Sequence, residues 1–252
     1  MSNGRFVWRD LHTSDVAAAK TFFTSLLDWA TEESDMGGMT YTMVGFPGDN
    51  FAGIVPLDPA SGAQSQWVSY LSVEDVDAAT EKAKTLGATV SHGPDDIPGV
   101  GRFTMLDDPQ GASFNFFKLI DDESRPAPMP TPIGGVSWNE LLCADPEAAK
   151  AFYSQFVDWT YEKTASGGGG DYWMAKQGDD YRGGMMEKPA MMPGSAWVIY
   201  FAVADIDAAI AKAKELGGQV YMDPINVERV GKIVYASDPT GAPFAMIQEA
   251  MM

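Results

Sequence analysis

The chain has 252 residues, 45% hydrophobic and 21% charged, with a formal net charge of −18. That balance suits one large or two ordinary globular domains with a sizeable core, and its negative sign excludes nucleic acid and anionic membranes, which demand a basic surface. One cysteine, Cys143, excludes an intramolecular disulfide, the N-terminal MSNGRFVWRD is charged where a signal peptide is apolar, and no apolar run reaches the length of a membrane span, so the sequence reads as cytoplasmic.

In chain order, an extended run from Val7 meets a helix start at Ser14 and Asp15, whose side chains can accept from the free N–H groups of a first turn. Val16, Ala19, Phe22, Phe23, Leu26 and Leu27 follow at helical spacing and give one apolar face. Asp28 and Trp29 close the helix, and extended runs are predicted near 29–33, 39–45 and 50–57. The pattern returns with the strand-like WVSYLS and a helix begun by Asp75. That helix ends at Leu86-Gly87, a common C-cap signal, and runs near 88–92, 102–107 and 112–119 follow. Residues 121–134, DDESRPAPMPTPIG, form a semi-rigid proline-rich linker with a boundary near Pro128.

Beyond the linker the chain starts again. Trp8, Asp15 and Trp29 match Trp138, Asp145 and Trp159, each 130 apart (138 − 8, 145 − 15, 159 − 29). Gly53 with Gly183, Trp67 with Trp197, Asp75 with Asp205 and Asp108 with Asp238 keep that offset, which implies a tandem duplication with almost no insertions, loops included. Within each half the helix-start aspartates lie 60 apart (75 − 15, 205 − 145), so the chain reads as four strand-helix-strand-strand-strand modules. That order excludes a doubly wound parallel sheet. It predicts an α+β fold: two duplicated domains, 1–120 and 135–252, with curved mixed sheets and helices on their outer face.

The modules, the start Ser14-Asp15…Ala19…Phe22-Phe23, the Asp-Pro-x-Gly turns at Asp108 and Asp238, and the Trp-x-acid-Leu runs at Trp8 and Trp138 together resemble the vicinal oxygen chelate superfamily. This superfamily holds glyoxalase I, extradiol dioxygenases, fosfomycin-modifying enzymes and bleomycin-binding proteins. The chain is similar over nearly its whole length to a tandem actinobacterial branch labelled glyoxalase or hydroxylase. The resemblance implies a cup in which metal ligands come from first and last strands. Its ligand positions here are Trp8, Val68, Trp138 and Val198 on first strands, and Asn115 and Ala245 on the halves' last strands. With only His12 and His92 for imidazoles, the implied metal set is absent, and no metal or cofactor is expected.

Alternation along the strands then fills the cup. Trp8, Asp10 and His12 share a face, as do Trp138, Glu140 and Leu142. Tyr70, Asn115 and Phe117 point inward in the first half, and Tyr200 and Ala245 in the second. Asp10 and Glu140 are the candidate acids or bases. Trp8, His12, Tyr70, Asn115, Phe117, Trp138, Trp173 and Tyr200 are the candidate ligand-binding residues, with Tyr172, Trp173 and Tyr181 read as an aromatic loop set. An aromatic pocket with few polar groups suits a small organic ligand, and a carboxylate beside an indole can act as acid or base. The same residues could equally fill the cup as ordinary core.

Gly167 to Gly170 read as a flexible loop, and Met185, Met186, Met191 and Met192 as core or an adaptable mouth. Cys143 has no matched histidine and is no nucleophile. Three functional readings follow. The first is metal-independent binding of a small, aromatic metabolite or antibiotic, by a monomer or homodimer. The second is a glyoxalase-like lyase or isomerase, or a hydroxylase, using carboxylate acid–base chemistry. In the third, one half only supports the other.

Overall fold

The computed structural model describes residues 3–58, 60–120, 131–165 and 169–250. Residues 121–130 of the linker, with its boundary near Pro128, and Gly167-Gly168 of the glycine loop lie outside the described residues.

The first module is β1 (Phe6–Thr13), α1 (Val16–Leu27), β2 (Ala30–Asp35), β3 (Thr40–Phe46) and β4 (Asp49–Pro56). The second is β5 (Gln66–Ser72), α2 (Val76–Thr85), β6 (Thr89–Ile97), β7 (Gly101–Asp107) and β8 (Ser113–Leu119). The third is β9 (Val136–Cys143), α3 (Pro146–Tyr153), β10 (Thr160–Ala165), β11 (Asp171–Gln177) and β12 (Asp180–Glu187). The fourth is β13 (Ala196–Ala202), α4 (Ile206–Glu215), β14 (Gln219–Val220), β15 (Ile225–Val227), β16 (Gly231–Ser237) and β17 (Pro243–Glu249).

The four helices among the described residues start by one device. The aspartate before the first turn has an extended backbone, and its carboxylate accepts an N–H three residues on: Asp15 from Ala18, Asp75 from Ala78, Asp145 from Ala148 and Asp205 from Ala208, each at 3.0 Å. The cap thus falls to Asp15 alone, and the Ser14 hydroxyl lies 3.3 Å from that of Ser65. Asp28 closes α1 in the left-handed region at φ 57°, and Gly87 and Gly217 do the same after α2 and α4. No helix among the described residues is long and apolar enough to cross a membrane.

Strand order is β2-β3-β4-β1-β5-β8-β7-β6 in one sheet and β10-β11-β12-β9-β13-β17-β16-β14 in the other, where β15 also pairs with β16. First and last strands of a module pair in parallel, β1 with β4 and β5 with β8, while the hairpins between are antiparallel. The sheets are therefore mixed, curved, and covered by few helices, the α+β architecture of the four-module reading. Two details differ from it. Among the described residues the second sheet has nine strands rather than eight, because the first extended run after α4 breaks into β14 and β15 around Pro224, which has no N–H for the ladder. The repeat offset is also not constant: β11 and β12 lie 131 residues beyond β3 and β4 (171 − 40, 180 − 49), so Gly53 matches Gly184 rather than Gly183. By β13 the offset is again 130 (196 − 66).

The chain packs as two compact units that each take one module from each half. The inner unit (inner by sequence order) holds modules two and three: described residues 3–8, 68–120 and 139–197. The outer unit holds modules one and four: described residues 9–67, 131–138 and 198–250. Each has its own aromatic core. In the outer unit Phe23 stacks on Trp29 at 5.5 Å and meets Trp67, Phe201 and Phe244 edge-on. In the inner unit Tyr153 lies between Phe114, Phe152, Trp159 and Trp197. Truncating such a ring to alanine costs about 3–5 kcal/mol, through lost burial and the cavity left behind.

Candidate functional site

The helices bury one face of each sheet, and the candidate residues other than Trp173 lie on the other. In the outer unit Asp10 of β1 sits opposite Gly53 of β4. The Tyr41 hydroxyl, from β3, donates to Asp10 Oδ1 at 2.6 Å, and Asp10 is only 5% exposed. Gly53 makes this possible: a Cβ there would collide with the Tyr41 hydroxyl and come within 2.6 Å of Asp10 Oδ1. Two residues along, His12 has a buried Nε2 with no partner among the described residues. Burial lowers the His12 pKa, against an opposing pull from Asp10, and so favours the neutral imidazole.

The inner unit places the same residue types at the matching positions. Glu140 of β9, 3% exposed, is the register partner of Gly184 of β12, and the Tyr172 hydroxyl of β11 lies where a Cβ on Gly184 would be. Tyr172 is 131 residues beyond Tyr41, so a repeat read at 130 hides the match (172 − 41). Tyr41 escaped the sequence reading for that reason. The available signal was a tyrosine two strands away from a carboxylate, with glycine between.

Modules two and four present a different row. In the inner unit Tyr70, Asn115 and Met105 are neighbours across β5, β8 and β7, and Tyr70 meets Phe117 edge-on at 5.6 Å. In the outer unit the matching row is Tyr200, Ala245 and Tyr235, and the Tyr200 hydroxyl donates to that of Tyr235 at 2.7 Å. Trp8 and Trp138 are half-buried on β1 and β9, on the phase of Asp10 and Glu140.

Trp173 requires a correction. It lies within β11, not in a loop, and its register partner Met185 pairs with Leu141; both are fully buried on the helix side. Trp173 therefore faces away from Glu140, and the Lys150 ammonium sits 3.2 Å from its ring centroid. Tyr172 and Tyr181 are likewise strand residues, with Tyr181 exposed on β12. Met185 is core, whereas Met191 is 92% exposed, so the methionines do not form one mouth. His92 is an exposed residue of β6, 2.9 Å from Asp95. Cys143 is buried, and burial pushes its thiol up to about 12, which leaves it inert as a nucleophile.

The implied metal positions hold Trp8, Val68, Trp138, Val198, Asn115 and Ala245, and among the described residues no three His, Cys, Asp or Glu side chains gather as a metal-binding group. This donor set does not fit a divalent ion.

Each unit also carries a groove beside its helices. The outer one, about 730 Å³, is lined by Leu26, Trp29, Phe46, Asp205, Ala208 and Lys212. The inner one, about 270 Å³, is lined by the matching Asp75, Ala78 and Lys82, with Gln155 and Phe156. Lys82 spans the smaller groove by donating to the Gln155 carbonyl at 3.2 Å, whereas Lys212 turns to Glu215 at 3.3 Å.

Comparison with known proteins places this geometry. The chain is 37% identical, over 96% of its length and 94% of the relative's, to the CFP32 protein of Mycobacterium tuberculosis, whose name provisionally calls it a glyoxylase. It is 32% identical to the anthracycline biosynthesis protein DnrV of Streptomyces peucetius, covering 97% of this chain and 93% of that one. The 2,3-dioxygenase LapB from Pseudomonas sp. KL28 shares the fold with TM-score 0.63 at 13% identity, over 100% of this chain and 94% of that one. The Mn(II)-bound glyoxalase from Novosphingobium aromaticivorans does so with TM-score 0.63 at 14% identity, over 99% and 84%. Residues 5–116 match the glyoxalase/bleomycin resistance protein/dioxygenase superfamily and residues 138–247 a glyoxalase-like domain. With both halves matched and relatives aligned over nearly the whole chain, the protein belongs to the glyoxalase/bleomycin resistance protein/dioxygenase superfamily as two tandem copies.

Proposed function

We propose that the protein binds a small, flat organic metabolite or antibiotic on the helix-free faces of its sheets without using a metal ion, and that Asp10 and Glu140 are its most sensitive polar positions. The carrying observation is the buried carboxylate tied to a tyrosine over a glycine, Asp10 with Tyr41 and Gly53, with buried Glu140 opposite Gly184 and Tyr172 over that glycine at the matching place. Structural carboxylates are usually exposed or ion-paired, whereas a carboxylate held by a phenol on an aromatic face is suited to an organic ligand. The relative named for anthracycline biosynthesis supports a flat polycyclic ligand class. The halves 1–120 and 135–252, with the linker 121–134, are proposed as the duplicated domains, and the protein as a cytoplasmic monomer or homodimer.

A second reading is favoured by His12. A neutral imidazole with a buried Nε2, on the face of Asp10, suits proton transfer by a glyoxalase-like lyase or isomerase, or by a hydroxylase.

Calorimetry with a panel of hydroxylated anthraquinones, flavonoids and other aromatic metabolites tests the first reading. A bound panel member should lose ten- to over a hundredfold in affinity in Asp10→Asn or Glu140→Gln, the effect of removing a charge-assisted contact worth about 1.5–3 kcal/mol. Chelators should leave affinity and Tm unchanged. Unaltered binding by both variants, or about one metal per domain by elemental analysis, overturns the reading.

A further inference from the structure

Asn115 is the anomaly of the inner unit. Its side chain is 1% exposed, and neither its amide nitrogen nor its amide oxygen has a partner among the described residues. Native proteins rarely bury both ends of an amide unpaired, because each end has given up hydrogen bonds to water. Met105, its register partner on β7, has no hydroxyl, and Phe117 is apolar. Module four shows how the same row closes. There Ala245 replaces the amide, and two tyrosine hydroxyls satisfy each other at 2.7 Å.

We propose that Asn115 is a recognition residue for a flat heterocycle carrying a hydrogen-bond donor and an acceptor on adjacent atoms, a lactam or imide edge, bound at the Tyr70–Asn115–Met105 row. This rests on the small-molecule reading above and names its ligand class. A carboxamide offers its oxygen and its N–H in one plane, so a lactam edge satisfies both at once. Tyr70 and Phe117 provide the aromatic surface against which a ring packs. Met105, unbranched and half-buried, is the side chain that yields to admit it.

The test begins without ligand. Asn115→Leu, close in volume, removes the unpaired amide and should raise Tm by a few degrees. A lower Tm in Asn115→Leu overturns the proposal, since it means the amide is satisfied in solution. Calorimetry then compares 2-quinolone with N-methyl-2-quinolone, which lacks only the donor. The parent should prefer 2-quinolone by roughly tenfold, and Asn115→Leu should lose that preference. Met105→Tyr, which copies the module-four row, should abolish 2-quinolone binding in a folded protein. Equal affinity of the parent for both probes overturns the role of Asn115 while the small-molecule reading stands. Binding of neither probe overturns the ligand class, and if the aromatic panel fails as well, the small-molecule reading falls with it.

Discussion

The inner and outer units share a plan but differ by one hydroxyl at the centre of the core. In the inner unit Tyr153 donates to Asp108 Oδ2 at 3.0 Å and accepts from the Trp197 indole at 2.8 Å. In the outer unit the matching residue is Phe23 (153 − 23 = 130), and the matching Trp67 indole N–H is buried with no partner among the described residues. Asp238, the counterpart of Asp108, instead takes the hydroxyl of Thr240 at 2.8 Å. Both aspartates keep the same backbone task, accepting the N–H groups of the Asp-Pro-x-Gly turn. Duplication has thus preserved the turn, where the backbone dictates the acceptor, and let the side-chain network drift. The carboxylate found a new donor nearby, while the indole, fixed by its packing, could not.

The strongest way to break the comparison is Tyr153→Phe, which gives the inner unit the outer unit's residue. It strips a donor from buried Asp108 and the acceptor from Trp197, and should destabilise by about 2–4 kcal/mol in denaturant unfolding. The loss should depend on pH. Burial holds the Asp108 pKa above the ordinary aspartate value, and the Tyr153 hydrogen bond opposes that rise. Removing the hydroxyl therefore raises the folded-state pKa further. The deficit is full above the raised pKa of the variant and shrinks as pH falls through it, where the carboxyl is protonated with or without the tyrosine. A deficit that is the same at all pH values would show that Asp108 is not the partner that matters.

The reverse exchange, Phe23→Tyr, should bring the outer unit towards the inner. A hydroxyl there can accept from Trp67 and donate to Asp238, for a gain of about 1 kcal/mol, read as a higher denaturant midpoint with unchanged slope. A loss would mean that the Phe23 site has no room for the oxygen.

The smallest effect concerns the grooves. Lys82→Met should cost at most about 0.5 kcal/mol, because the hydrogen bond to Gln155 is exposed, and Lys212→Met should cost as little. A larger loss for Lys82 alone would make its span of the inner groove a structural strap.

Much of this molecule was legible because it is written locally or periodically. The duplication showed in repeated Trp, Asp and Gly positions, and the helix starts in Asp15, Asp75, Asp145 and Asp205, whose caps depend on residues three apart. The alternation of Trp8, Asp10 and His12 along β1 follows from strand geometry alone. The choice of which modules share a core did not show, because buried aromatic faces such as Phe23 and Tyr153 are interchangeable as patterns and find their partners only by packing. The one-residue slip that aligns Tyr172 with Tyr41 lies within a gapless-looking repeat, and cross-strand register alone exposes it. Trp173 reads as a pocket aromatic until that register turns it towards the helices. The sequence by itself determined the modules, their caps and their faces, through hydrogen bonds and periodicities a few residues long. Tertiary structure decided the pairing of modules, the tyrosine over each glycine and the burial of the Asn115 amide, because each depends on side chains brought together from distant strands.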